Sequence, residues 1–392
     1  MELFSVREHE RADNLGKGTH TMGAMDLIAI MGHEQVVYCQ DKDSGLKAII
    51  AIHDTTLGPA LGGCRFWNYR DEHEALIDVL RLSRGMTYKA SVAGLRLGGG
   101  KAVILGNPSR LKSEKFFRAF GRFVNSLNGR YITAEDVNVR VEDLNHVAKE
   151  TSYVSGLSSF PGGSGDPSPT TALGVYCGIK AAIEHKNHKQ TLQGITVAIQ
   201  GCGAVGRSLC RLLHNDGVHL IVADINQASA DLVVKEFGAK TVRTDEIHRV
   251  EADVYSPCAL GGILNEKTIP ELKSNIVAGA ANNQLLDEFT DGKRLKDRGI
   301  LYAPDYVINA GGLINVAHEL SGYNEELAHN DARRIYHTVL KVFDLAQKAG
   351  IPTNQASDEL AQKRIQEAKL PHNSHGVALN TFHNQDWIKV GR

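Results

Sequence analysis

Two lysines, Lys89 and Lys101, flank a glycine-rich, largely apolar stretch, and no acidic residue lies between Arg84 and Lys101. Lys101 follows Gly98-Gly99-Gly100, and successive glycines let a backbone enter a cleft where side chains would clash. Two ammonium groups in one apolar pocket disfavour each other's charge, so one of them is expected to titrate nearer neutrality. That is the environment of a lysine acting as a general base. A solvated surface charge is the competing reading for any single lysine, and for Lys101 it stays open. A third element, Tyr131-Ile132-Thr133-Ala134-Glu135-Asp136, reads as a short strand ending in acids. Asp136 there suits proton exchange with a substrate amine, or equally the capping of a helix.

A second site is written further along. The apolar run Ile195–Gln200 leads directly into Gly201-Cys202-Gly203-Ala204-Val205-Gly206, then a helical stretch, then His219–Ala223 and Asp224. In this strand–turn–helix setting Gly201 permits the tight turn, Gly203 admits a pyrophosphate to the backbone, and Gly206 lets helix and strand pack closely. The helix start at Ala204 and Val205 offers free N–H groups and partial positive charge to that pyrophosphate. Asp224 would accept hydrogen bonds from the adenosine ribose and repel a 2′-phosphate, which predicts NAD rather than NADP. An ordinary glycine turn is the alternative, but it would not need flanking strand, helix and acid in register. Later strands end in Cys258-Ala259-Leu260-Gly261-Gly262, Ala280-Ala281-Asn282-Asn283 and Pro304-Asp305. Ligands of open α/β sheets sit off such strand ends, so these loops are expected to face the nicotinamide half.

The elements that must carry these residues fall into two sets. Strand-like runs at 36–39, 46–52 and 102–105 alternate with helical patterns through Ala75, Leu76, Val79 and Leu80, and through Phe116, Phe120, Phe123, Val124 and Leu127. The phenylalanine stripe resembles a ligand wall, but a stripe at this period is ordinarily core. The run 160–169, Phe-Pro-Gly-Gly-Ser-Gly-Asp-Pro-Ser-Pro, is the strongest breaker cluster and predicts a hinge. Beyond it a helix at about 170–185 precedes strands near 195–200, 218–223, 252–255, 276–278 and 300–302, an alternation that implies a parallel sheet covered on both faces. Long helices at about 325–348 and 356–369 follow, then a polar tail from Pro371. The fold class is therefore α/β in two domains. Residues 1–155 form a mixed α/β substrate-binding and oligomerisation domain, joined by C-terminal helices from about 346 to 392. Residues 156–345 form a doubly wound, Rossmann-type NAD-binding domain.

Bulk properties exclude several classes. Forty-four basic and forty-five acidic residues give a net charge of −1, without the basic stripe of a nucleic-acid binder. Glycine is high at 39 of 392 residues, against an average of about 7%, which suits tight turns around a ligand. The six cysteines include no C-x-x-C pair, so neither a disulfide framework nor a metal site is expected. The first residues are too charged for a signal peptide, and no apolar run is long enough to span a bilayer. The chain reads as a cytoplasmic protein without a membrane or nucleic-acid partner.

Several segments together resemble the glutamate/leucine/phenylalanine/valine dehydrogenase family, and within it the leucine-specific members. They are Gly58-Pro59-Ala60-Leu61-Gly62-Gly63-Cys64-Arg65, Gly85-Met86-Thr87-Tyr88-Lys89, Leu97-Gly98-Gly99-Gly100-Lys101 and Tyr131–Asp136, then Ala280-Ala281-Asn282-Asn283-Gln284-Leu285 and Pro304–Gly312. The resemblance runs from about residue 33 to 370. It implies NAD-dependent oxidative deamination of an L-amino acid to its 2-oxo acid and ammonia, by a homo-oligomer. Lys89 would bind the substrate carboxylate, Asn309 would help place carboxylate and amine beside the cofactor, Lys101 would be the catalytic lysine, and Asp136 the acid/base at nitrogen. Closure of the cleft between the domains would exclude water.

The resemblance also bears on the substrate. Glutamate-specific members carry a lysine at the position of Leu61 and a serine at that of Val316. Here both are apolar, and with Gly62, Ala134 and Leu313 they would form a pocket that cannot compensate a second carboxylate. Leucine and other branched-chain amino acids are expected first, phenylalanine or tryptophan second. Leu313 stands where leucine-specific members carry valine, and Asn138 where they carry glycine; both are similar to tryptophan-specific members. The chain also carries extra N-terminal residues, about 1–24. A catalytically dead NAD-binding sensor is the reading from another class, but it should have lost Lys101 or Asp136. A 2-hydroxyacid dehydrogenase would need a histidine–carboxylate base, and none of the 17 histidines stands in such a motif.

Overall fold

A computed structural model of the chain describes residues 22–157 and 163–370. These form two compact units, one up to Ser91 and from Arg96 to 157, the other Val92–Leu95 and from 163 onward. The predicted hinge at 160–169 lies partly, and the N-terminal extension and the tail from Pro371 almost wholly, outside the described residues.

The first unit is built on a mixed five-stranded sheet of order β1-β2-β4-β3-β5. Its strands are β1 (Gln35–Asp41), β2 (Leu46–Asp54), β3 (Ala60–Trp67), β4 (Gly98–Leu105) and β5 (Tyr131–Ala134). β3 runs parallel to β4 and β5, while β2 is antiparallel to β1 and β4. Alternate residues of β2 serve opposite faces, as the two-residue period of a strand requires. Ala48, Ile50 and Ile52 pack with Phe116, Phe117 and Phe120 of helix α4 (Glu114–Ser126), whereas Ile49 and Ala51 pack with Ala75, Leu76, Val79 and Leu80 of helix α2 (Glu72–Val92). Both faces are covered, which is why the run Leu46–Ile52 is nearly all apolar. Short helices α1 (Ala24–Met31), α3 (Pro108–Leu111) and α5 (Val141–Val147) complete the unit's described residues.

The phenylalanine stripe is core: Phe116 stacks on Phe66 of β3 with ring centroids 5.3 Å apart, and both are fully buried. Each such ring contributes roughly 1.5–3 kcal/mol by burial. Ser113 starts α4 by accepting the Phe116 N–H at 3.3 Å.

The second unit holds a six-stranded, all-parallel sheet of order β11-β10-β9-β6-β7-β8. Its strands are β6 (Thr196–Gln200), β7 (His219–Ala223), β8 (Lys240–Thr241), β9 (Val254–Pro257), β10 (Ile276–Val277) and β11 (Leu301–Tyr302). From β8 inward this is the doubly wound order 3-2-1-4-5-6, whose direction reverses between β6 and β9. Helices α6 (Ser168–Asn187), α7 (Ala204–Asn215), α8 (Gln227–Phe237), α9 (Glu288–Asp297), α10 (Asp305–Ile308), α11 (Gly311–Glu319), α12 (Glu325–Arg333), α13 (Ile335–Ala349) and α14 (Thr353–Lys369) surround it.

Three expectations need correction, and two strands were not foreseen. The strand expected over 102–105 begins at Gly98, so Gly98-Gly99-Gly100 are part of β4 itself. The helix expected over 325–348 is interrupted at Arg334, where α12 gives way to α13. Strands β3 and β8 were not read from periodicity. The C-terminal helices α13 and α14 group with the second unit rather than the first, because Val342, Ala346, Ala356 and Leu360 pack as one cluster and α13 lies on α6.

Candidate active site

In the first unit the strands bring three charges into one row. Cys64 of β3 is opposite Ala102 of β4, and Gly63 of β3 is opposite Ala134 of β5. Lys101 and Asp136 therefore flank β3 near Gly63, which offers no side chain to separate them. The Lys101 ammonium lies 2.9 Å from Asp136 Oδ2, on a lysine only 7% exposed. Arg65 Nε reaches the same oxygen at 3.2 Å. Burial alone would push the Asp136 carboxyl up; the Lys101 and Arg65 charges and the Val137 N–H outweigh it and hold the carboxyl below its usual value.

The group in contact with the Lys101 ammonium is a carboxylate. Asp136 caps no helix: Arg140 is the N-cap of α5, and Asp143 accepts its N–H at 3.0 Å. Of the two readings left open for Asp136, the helix cap is set aside.

Lys89 stands in the last turn of α2 and is half-buried. Two residues earlier Thr87 meets β4, where a Cβ on Gly99 would lie 2.0 Å from the Thr87 amide nitrogen. Helix and strand can approach this closely only because position 99 has no side chain. Thr87 is held from the other side by His53 Nδ1, 2.9 Å from its Oγ1. Nearby, Leu61 is buried in β3, Gly62 is buried beside it, and Ala134 at the end of β5 is partly exposed.

In the second unit the G-x-G-x-x-G turn joins β6 to α7. A Cβ on Gly206 would stand 2.0 Å from the Gly201 carbonyl oxygen, so the helix packs directly on the turn. Gly203 and Ala204 are exposed, Val205 is half-buried, and nothing lies within 4 Å of where a Gly203 side chain would begin. That open concavity at a helix N-terminus fits a pyrophosphate. Asp224, at the end of β7, accepts the Cys202 N–H at 2.6 Å and the Asn226 N–H at 2.7 Å.

Cys258 and Ala259, following β9, pack against Gly201, which brings the fingerprint and the β9 end together at the switch point. Asn309 is buried and donates through Nδ2 to the Ala280 carbonyl at 3.0 Å and to Asn282 Oδ1 at 2.7 Å. Asn283 adopts a left-handed conformation, φ 52°, and its carbonyl accepts the Gly262 N–H at 2.7 Å. Leu313 is buried and Val316 partly exposed, one turn apart on α11.

Sequence reasoning gave no role to Arg65, although it stands in a quoted motif. The signal was the two-residue period: Arg65 lies two beyond Gly63, as Asp136 lies two beyond the paired Ala134. Without the register of β3 on β5, that relation was invisible.

Comparison with known proteins places this architecture. Residues 33–153 match the Glu/Leu/Phe/Val dehydrogenase dimerisation domain, and residues 162–229 and 222–372 match Glutamate/Leucine/Phenylalanine/Valine dehydrogenase. The leucine dehydrogenase of Thermoactinomyces intermedius is 56% identical over 345 residues, covering 88% of this chain and 94% of that protein. The L-tryptophan dehydrogenase of Nostoc punctiforme is 53% identical over 344 residues, covering 88% and 96%. A crystal structure of L-tryptophan dehydrogenase from Nostoc punctiforme matches with a TM-score of 0.81 at 50% identity, covering 88% of this chain and 99% of that one. The fold and these relatives define an amino-acid dehydrogenase, an oxidoreductase. The chain belongs to the glutamate/leucine/phenylalanine/valine dehydrogenase family, whose members are NAD(P)-dependent.

Proposed function

We propose that the protein oxidatively deaminates leucine and related branched-chain L-amino acids, with NAD as acceptor. The observation that carries the chemistry is the contact of buried Lys101 with partly buried Asp136, beside Leu61 and Ala134, in a chain 56% identical to a leucine dehydrogenase. When bound, NAD would supply the acceptor for the hydride leaving the substrate α-carbon. Gly201, Gly203, Ala204, Val205 and Gly206 would hold its pyrophosphate, and Asp224 its ribose. Cys258, Ala259, Ala280, Asn282, Asn283 and Asn309 would surround its nicotinamide half. Asp224 supports NAD over NADP, because its carboxylate would repel a 2′-phosphate.

Lys89 binds the substrate carboxylate, and Asn309 orients carboxylate and amine. Lys101 removes a proton from the water that attacks the substrate imine. Asp136, ionised at rest because the neighbouring cations hold its pKa down, accepts a proton from the substrate ammonium and returns it to the departing nitrogen. The family resemblance assigns the substrate side chain to Leu61, Gly62 and Ala134 in the first unit and to Leu313 and Val316 in the second. None of them offers a charge, so an apolar side chain is preferred.

An aromatic substrate is the second reading. It is favoured by Leu313, Asn138 and the 53% identity to an L-tryptophan dehydrogenase. The match of residues 33–153 to a dimerisation domain supports a homo-oligomer, and six free cysteines support a reducing, cytoplasmic setting. The deciding experiment is NADH formation by the purified protein across a panel of L-amino acids at alkaline pH. Leucine, valine and isoleucine should lead; no turnover with any apolar amino acid would refute the proposal.

A further inference from the structure

Arg65 touches more than Asp136. Its NH1 group lies 3.0 and 3.2 Å from the two oxygens of Asp78 on α2, and Tyr69 donates its hydroxyl to Asp78 Oδ2 at 2.6 Å. Burial and the Asp78 carboxylate push the Tyr69 phenol up, so it stays a donor. A continuous chain thus runs Tyr69–Asp78–Arg65–Asp136–Lys101, with the side chains of Arg65, Asp78 and Asp136 each less than a third exposed. We propose that Arg65 is a positioning residue for the proton-transfer pair: clamped by Asp78 and Tyr69, its guanidinium fixes the orientation of the Asp136 carboxylate and accompanies its charge.

The proposal rests on the roles given above to Lys101 and Asp136. As a base, Lys101 must spend part of the cycle uncharged, and Asp136 would then lose a cation held 2.9 Å away. Arg65 cannot make that exchange, because a guanidinium does not deprotonate in proteins. It therefore supplies a permanent countercharge while the lysine's charge alternates. The planar fork also explains the residue type. One guanidinium meets Asp136 through Nε and Asp78 through NH1, two directions fixed with respect to each other, which a lysine ammonium does not offer.

The test uses the full chain with Arg65→Gln, Arg65→Lys, Asp78→Asn and Asp136→Asn, read by the pH dependence of kcat/KM, by kcat and by NADH affinity. With Arg65→Gln, kcat should fall about tenfold or more, as expected when a proton-transfer group is displaced. The pH-profile limb that reports Asp136 should move to higher pH, with NADH affinity unchanged. Arg65→Lys should restore the limb more than kcat, because it returns the charge without the fork. Should the Arg65 variants fail to fold, Asp78→Asn, which removes only the clamp, is expected to lower kcat in the same direction. A parent-like kcat and an unmoved profile in Arg65→Gln, or in Asp78→Asn where it stands in, overturn the proposal for Arg65 alone. Parent-like turnover by Asp136→Asn overturns the chemistry beneath it.

Discussion

Thr87 of α2 and Gly99 of β4 touch so closely that a Cβ at position 99 would meet the Thr87 amide nitrogen at 2.0 Å and its Oγ1 at 2.2 Å. Two residues beyond each lie the lysines given functional roles in the proposal, Lys89 and Lys101. One backbone contact therefore sets the spacing of both groups, and Gly99→Ala is expected to disturb them together. Overpacking of this kind costs about 1–3 kcal/mol. Urea denaturation of the variant should show that loss, and kcat/KM should fall by more than KM alone explains. Parent-like stability and activity would remove Gly99 from this role.

Separate losses are expected for the two lysines. Lys101→Ala should abolish most turnover and leave NADH binding intact, since the dinucleotide residues lie in the other unit. Lys89→Ala should chiefly raise KM, because it removes a partner of the carboxylate in ground and transition states alike. Steady-state kinetics with fluorescence titration of NADH checks both. Near-normal turnover by the Lys101 variant would sink the mechanism.

The proposal makes cofactor preference depend on Asp224. NAD should exceed NADP in kcat/KM by a clear margin, and Asp224→Ser should narrow the ratio by removing the charge that repels a 2′-phosphate. The variant should also bind NAD less well, because Asp224 accepts the Cys202 N–H inside the fingerprint turn. Equal use of both cofactors by the parent would overturn the assignment.

The legible parts of this protein were those whose signal is local. The Rossmann half announced itself because strand, glycines, helix and acid follow one another within thirty residues, from Ile195 to Asp224. The phenylalanine stripe of α4 was readable as core from its period alone. What periodicity missed depends on partners distant in sequence. β3 alternates badly because both its faces are covered and two of its residues are glycines, Gly62 and Gly63. β8 has only two residues, Lys240 and Thr241, both exposed, and leaves no pattern. The glycines before Lys101 were left out of the strand because only the register shows what they touch: Asp54 for Gly98, Thr87 for Gly99 and Tyr131 for Gly100. Charge pairing was the least legible. Arg65, Asp78, Lys101 and Asp136 are spread over more than seventy residues and meet only once the sheet is assembled.

Two buried histidines make stability depend on pH. His33 and His53 stack edge to face at 4.8 Å; His33 is 2.8 Å from Ser83 Oγ and His53 contacts Thr87. Burial, with the charges of His53 and Arg84, depresses His33 to about 3; burial with the Arg84 charge depresses His53 to about 4, against the opposing charges of Asp54 and Glu34. Between those values and the unfolded pKa of about 6.5 the unfolded chain binds more protons, so stability falls as pH drops. Above about 6.5 both states are neutral at these residues and nothing is lost. Between pH 7 and 5 the loss is about 2 kcal/mol for each histidine. Denaturation midpoints over that range should show it, and His53→Gln should flatten the slope. A parent midpoint that is level from pH 7 to 5 would contradict the burial argument.

The substrate side chain is tested by exchanging apolar for polar groups. Leu61, Ala134, Leu313 and Val316 carry no charge and no side-chain hydrogen-bonding group, so glutamate should be a very poor substrate of the parent enzyme. A buried methylene contributes about 0.8 kcal/mol, so leucine, isoleucine and valine should outrun alanine. Among those three the differences should stay modest, since one methylene in an apolar pocket discriminates only about 10–200-fold. Leu61→Lys with Val316→Ser should raise glutamate relative to leucine, because a lysine and a hydroxyl can then meet a distal carboxylate that the parent leaves uncompensated. The single Leu61→Lys should do less, and it should lower stability, since Leu61 is 1% exposed and an ammonium there lacks an apolar setting's tolerance. The measurement is kcat/KM for glutamate, alanine, valine, leucine, phenylalanine and tryptophan with the parent and both variants. A parent that prefers glutamate refutes the apolar assignment at its root. A parent that prefers tryptophan over leucine changes only the size of the side chain accommodated, and leaves Lys89, Lys101 and Asp136 with the roles proposed for them.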